Sequence, residues 1–180
     1  MNFHDKIRKQ PHLGVGISCE FDGGTRALNI DALWLQKNFP EFIHFLEMGT
    51  DTSRGLDDHM RRWAATKLPA TYHFLDINLE EEEDLDEQWL NDTIALAQAV
   101  NAQWLCGDAG LWHFGTRERG HYLLLPPILN QSSANEMSRT IKSIQERSGY
   151  LVLPENPPAP AFVGPLHLLD YFARVIEKAD

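Results

Sequence analysis

Five times along its 180 residues this chain sets a short apolar run before a segment of helical period, and that alternation limits the fold more than any other feature. The runs are "LGVGIS" (13–18), "FIHFLE" (42–47), "ATYHFLDI" (70–77), "AQWLCGD" (102–108) and Tyr150–Pro154. Each has the length of a strand that is apolar on both faces, and strands of that kind belong to parallel sheets covered by helices. The segments between them read as amphipathic helices. Asp31 is placed to cap "DALWLQKNF", which Pro40 ends, and Leu56, Met60, Trp63 and Ala64 share one face of residues 56–67. The acidic run from Glu80 suits a solvated helix start, with Leu90, Ile94 and Ala97 on one stripe behind it. Ser133 and Glu136 have the spacing of a capping box, and Pro165 stands at a favoured first helical position for the last helix.

Strict β-α alternation leaves two architectures, an open doubly wound sheet or a β/α barrel. The glycine fingerprints of nucleotide-binding open sheets are missing from the chain. Their absence does not decide between the two, which turns on where the polar residues fall; the expectation from the residues is one α/β domain over residues 1–180 with about five βα units on a parallel sheet.

Composition narrows the partners. A formal charge of −10 disfavours a phosphate-backbone binder, which neutralises phosphates with clustered Lys and Arg. No apolar run approaches the ~20 residues of a membrane span, and "MNFHDKIRKQPHLG" lacks the apolar core of a signal peptide. The expectation is a cytoplasmic protein without nucleic-acid or membrane partners. Cys19 and Cys106 share no CxxC spacing and read as small buried residues.

What stands out is where the polar residues fall. Strands after the first end in Glu47 then Asp51, His73 then Asp76, Asp108, and Glu155 then Asn156. In parallel α/β folds the carboxyl ends of the strands face the active site, so these groups converge on one rim. A single acid there has a bland explanation in hydrogen bonds to a neighbouring loop. Several unpaired buried carboxylates are too costly without cations to neutralise them, and a metal cluster is the economical reading. Carboxylates mixed with imidazole suit iron, manganese or zinc. His44 reads as a core histidine, and His59 and His167 as surface residues on helices. His113 and His121 fall in the long segment after the fourth strand, where substrate-facing and solvated readings both stand. "TRERG" (116–120) reads as a polar loop or an acidic-substrate contact. No nucleophile-elbow motif is found.

With these pieces in order, the chain resembles the β/α-barrel family of the methanobactin biosynthesis protein B, iron-dependent enzymes that modify ribosomally made peptides. "LGVGIS" is similar to that family's opening Gly-Val-Gly-Leu strand and "FLEMGTD" to its Phe-Leu-Glu-Val-His-x-Glu-Asn segment. "YHFLDINLEEEEDLDEQWL", "GDAGLW", "HYLLLPP" and "LVLPENPP" resemble, in the same order, further family segments across nearly the whole chain. The resemblance implies that Glu47, His73, Asp108 and Glu155 stand at metal-ligand or near-ligand positions. It also implies that Asp51 replaces a family glutamate and that Asn156 sits beside a ligand; Asp76, His113 and His121 complete the second-shell or substrate-facing candidates.

Two departures accompany the resemblance. Gly49 and Ala109 occupy family histidine positions, which implies fewer metals, a different metal such as manganese or zinc, or none. The resemblance implies an α/β fold of TIM-barrel type, but the family's barrel has eight strands, so about five βα units make an incomplete barrel: a fragment, a shortened member completed by another chain in an oligomer, or an open sheet. The implied function is an oxidative, iron-dependent enzyme acting on a precursor peptide, or a degenerate relative of one. The alternatives are a metal-dependent sugar isomerase or hydrolase of barrel type, and a non-enzymatic scaffold that binds a partner protein.

Overall fold

The structure, a computed structural model, describes residues 3–20, 31–82, 85–115, 124–156 and 161–180. A short helix α1 (Phe3–Arg8), which the alternation did not announce, precedes β1 (Gly16–Glu20). The chain then runs through α2 (Ala32–Asn38), β2 (Phe45–Thr50), α3 (Asp58–Thr66), β3 (Ala70–Phe74) and α4 (Glu87–Ala99). It continues through β4 (Ala102–Asp108), α5 (Gln131–Ser148), β5 (Val152–Glu155) and α6 (Leu168–Lys178).

Short polar side chains start the helices by accepting from first-turn N–H groups that have no intrahelical partner. Asp31 accepts from Leu33 and Trp34, Asp57 from Met60, and Asp86 from Trp89. Two starts differ from the sequence reading. Asn130, a turn before Ser133, caps α5 by accepting from the Ser133 amide at 2.9 Å, while the Ser133 hydroxyl lies 2.8 Å from that of Tyr171. The last helix begins behind His167 rather than at Pro165, because the Leu166 amide donates to the Leu129 carbonyl at 3.0 Å and holds that stretch against the preceding loop. At its far end α5 stops at Gly149, whose φ of 75° suits a left-handed cap.

The strands form one parallel five-stranded sheet in the order β1-β2-β3-β4-β5. Crossovers between parallel strands are right-handed, so a consecutive order carries the connecting helices to the same face. Closure into a barrel is not seen: among the described residues β1 pairs with β2 alone and β5 with β4 alone. The expected barrel is thus reduced to an open parallel sheet flanked by helices.

Register corrects the expectation of strands apolar on both faces. Leu46, Met48, Tyr72, Phe74, Leu105 and Val152 alternate onto one face and are fully or almost fully buried. Against them pack Trp63, Trp89, Met137, Ile141, Ile144, Tyr171 and Val175 from the helices. Each such side chain contributes roughly 1.5–3 kcal/mol by leaving water. The fit is close: a Cβ on Gly107 would stand 2.0 Å from the Phe74 ring, which itself meets Trp89 edge-on at 5.3 Å. No helix among the described residues is long and apolar enough to cross a membrane.

Candidate metal centre

The other face of the sheet is polar. Register pairs Ser18 with Glu47 and Glu47 with Thr71, Gly49 with His73, His73 with Cys106, and Asp108 with Glu155. Residues paired in register share a face, as do residues two apart on one strand, so all of these side chains rise from the same surface. That surface is concave. Neighbouring strands are ~4.8 Å apart, yet Phe45 of β2 and Trp104 of β4 meet across the whole width of β3 with ring centroids at 6.4 Å. The two rings form the floor. Gly16 leaves room for it, since a Cβ there would lie 2.5 Å from the Phe45 ring.

Above the floor, β2, β3 and β5 bring Glu47, His73 and Glu155 together, with one ligand-capable atom of each lying within 4.8 Å of the others. His73 is 3% exposed, and neither ring nitrogen makes a hydrogen bond. Its Nδ1 lies 3.9 Å from a Glu47 oxygen and 3.8 Å from a Glu155 oxygen, while Nε2 lies 3.2 Å from Asp108 without hydrogen-bond alignment. Asp108 is therefore on the far side of the imidazole from the two glutamates.

Electrostatics reflects this crowding. Burial opposes a charge on His73, but Asp108 and Glu47 overcome it and push the imidazole up to about 10. Glu47 is held below the usual carboxylate range by His73 against the effect of burial, with help from Ser18 and Cys106. The Thr71 hydroxyl also approaches Glu47, at 3.5 Å. Glu155 is raised by burial, and repulsion from Asp108, Glu47 and Glu20 works against the attraction of His73. Burial and the two glutamates push the Cys106 thiol far up, so it is a neutral S–H beside Glu47.

One imidazolium cannot neutralise three carboxylates gathered within 4 Å of its ring. A divalent cation in place of the imidazolium proton leaves less of that charge uncompensated, and an orphaned buried imidazole nitrogen facing two carboxylate oxygens is a donor set that fits one. Glu47, His73 and Glu155 are thus a cluster capable of coordinating a metal ion. Glu155, its side chain 51% exposed, is the member open to solvent.

Several of the remaining candidates make contacts of their own. Asp51 accepts from the Ser53 hydroxyl and the Arg54 amide and closes its own turn. Asp76 accepts from the amide and hydroxyl of Thr52 and from the Trp89 indole, tying the loop after β2 to α4. His113 is 2% exposed rather than solvated, its Nδ1 lies 3.1 Å from the Gly115 carbonyl, and its backbone is stapled by Asn78, which donates to its carbonyl at 2.9 Å. Asn156 is exposed at the end of β5, and Ala109 is buried with its amide donating to the Glu155 carbonyl. His121, with the "TRERG" segment and the prolines 157–160, lies outside the described residues. His59 is buried rather than on the surface, its Nε2 accepting from the Ala32 amide, and His44 precedes β2, its Nδ1 accepting from Val15.

Glu20 is not among the candidates the sequence offers: "LGVGIS" predicts a strand ending at Ser18, whereas β1 extends to Glu20, which pairs in register with Gly49. An acid two residues past Ser18 was the available signal.

The chain matches no protein-family profile and no curated protein. Among solved structures it is similar to the modular autolysin LytC from Streptococcus pneumoniae, solved in complex with a synthetic peptidoglycan ligand. The similarity has a TM-score of 0.46 at 11% identity and covers 77% of this chain but 32% of that one, so this chain spans about a third of its length.

Proposed function

We propose that the chain is a divalent-cation-dependent enzyme that works on the concave polar face of its sheet, with Glu47, His73 and Glu155 as ligands. The observation that carries this reading is the meeting of those three donors, from three separate strands, around a buried imidazole with no hydrogen-bond partner. In line with the sequence resemblance, we propose iron as the cation, dioxygen as the oxidant and a cysteine-containing precursor peptide as the substrate. A bound iron would supply a redox-active Lewis acid at that point. The chain's own groups do the rest. Glu47, steadied by Ser18, Thr71 and Cys106, holds one side of the centre. Asp108 faces the other edge of the His73 ring and compensates its charge. Phe45 and Trp104 provide an apolar floor, and the exposed Glu155 marks the side from which a substrate enters.

A second reading is a Lewis-acid enzyme such as a sugar isomerase or hydrolase. It is favoured by the donor set, in which two of the three ligands are hard carboxylates of the kind that suit manganese. Oxygen dependence separates the two. The protein is purified anaerobically, loaded with Fe²⁺ and given cysteine-containing peptides, with dioxygen uptake and peptide mass as readouts. Uptake coupled to a mass change, and lost in Glu155→Gln, is the expected result. Turnover of ketoses with Mn²⁺ in the absence of oxygen would replace the oxidative reading with the second, and no turnover of either kind would remove both.

A further inference from the structure

Building on the cation-binding reading above, we propose that Glu20 is a further ligand of the same centre, delivered across β2 because residue 49 has no side chain. Register puts Glu20, Gly49 and His73 in one row on the polar face, at the carboxyl ends of β1, β2 and β3. A Cβ built on Gly49 would stand 2.5 Å from Cγ of Glu20 and 3.4 Å from its Cβ. The Glu20 side chain therefore lies directly over Gly49, leaning from the edge strand toward His73. Gly49 is not among the residues with a positive φ, so it is the space, not the backbone conformation, that calls for glycine here.

Glu20 and Glu155 stand on the two edge strands of the sheet, and register places Glu20 on the same face as Glu47, His73 and Glu155. Glu47, His73 and Glu155 supply three donors, whereas iron, manganese and zinc take four to six. The buried His73, with both ring nitrogens lacking hydrogen bonds, marks the point toward which a fourth donor must aim. Glu20 is exposed, so replacing it leaves the core undisturbed.

The test compares wild type with Glu20→Gln, Gly49→Ala and the double variant. Mn²⁺ affinity is measured by calorimetry and the coordination of added Co²⁺ by its visible spectrum. Gly49→Ala should fold, because the obstructing Cγ is on a movable side chain and the next neighbour, Leu75 Cδ1, is 3.3 Å away. Each single variant should weaken Mn²⁺ binding about tenfold or more and change the Co²⁺ spectrum. The double variant should bind no more weakly than Glu20→Gln, since both changes remove the same ligand. Two results overturn the proposal while leaving the three-residue centre standing. One is a Glu20→Gln effect that vanishes in about 0.5 M salt with an unchanged Co²⁺ spectrum, which makes Glu20 only a source of negative field. The other is a Gly49→Ala protein that binds like wild type. A wild-type protein that takes up neither ion removes the centre itself, and the role of Glu20 with it.

Discussion

Replacing Glu80 with Gln should flatten the dependence of stability on pH. Glu80 follows β3, and although the residue as a whole is only partly buried, both carboxylate oxygens are sealed from water and have no hydrogen-bond partner. Burial, with the charge of Glu81 beside it, pushes the carboxyl up from 4.5 to about 8; the nearby Gly110 amide opposes the shift without reaching hydrogen-bond geometry. Between those two values the folded protein keeps a proton that the unfolded chain has lost. The contribution is therefore fully present below about 4.5 and is lost as pH rises through about 8. The slope for one such group is about 1.4 kcal/mol per pH unit, so wild type should lose up to about 3 kcal/mol more than Glu80→Gln between about pH 5.5 and 7.5. Gln keeps the shape and cannot ionise, and the difference between the two proteins cancels every other titration. Urea unfolding of both at several pH values, with chelator present to silence any cation site, measures it. Parallel curves would refute the reasoning, because they would mean that Glu80 ionises at no cost by swinging into water.

Other consequences follow from the same contacts. Asp76→Ala takes the acceptor from the Thr52 amide, the Thr52 hydroxyl and the Trp89 indole at once, and urea unfolding should register a loss of about 3 kcal/mol or more. A loss under about 1 kcal/mol would show that water replaces Asp76. Gly107→Ala would place a methyl group 2.0 Å from the Phe74 ring, in a core where overpacking costs about 1–3 kcal/mol, so the thermal midpoint should fall. An unchanged midpoint would mean that Phe74 has room to turn away from Trp89.

Much of this arrangement can be read from the residues. The β-α alternation predicts the five strands in order, and Asp31 caps its helix as its position suggests. Acids at the strand ends lead to Glu47, His73 and Glu155. What the sequence could not supply is register. Only pairing shows that Glu47, His73 and Cys106 share a face, and that Leu46, Tyr72 and Leu105 face the helices. A run such as "ATYHFL" therefore looks apolar on both sides although His73 divides it. Tertiary contacts decided between competing local signals at the helix starts. Asn130 and Ser133 are both good caps, and Tyr171 engages the Ser133 hydroxyl. Buried histidines were missed for a related reason. His59 falls on the polar side of the "LDDHMRRW" pattern, yet it packs where α2 begins and accepts the Ala32 amide. Asp51 and Asp76 have the right residue type and position for ligands, and only geometry shows them binding loops instead.

The central claim is that a cation sits among Glu47, His73 and Glu155, and anomalous scattering tests it most directly. Crystals grown anaerobically with Fe²⁺ are measured on both sides of the iron absorption edge. One peak about 2 Å from His73 Nδ1 and from an oxygen of Glu47 and of Glu155, absent in Glu155→Gln, is the predicted result. A map with no peak there, or with iron bound only at surface carboxylates, would contradict it and leave the cluster as an imidazolium held among acids.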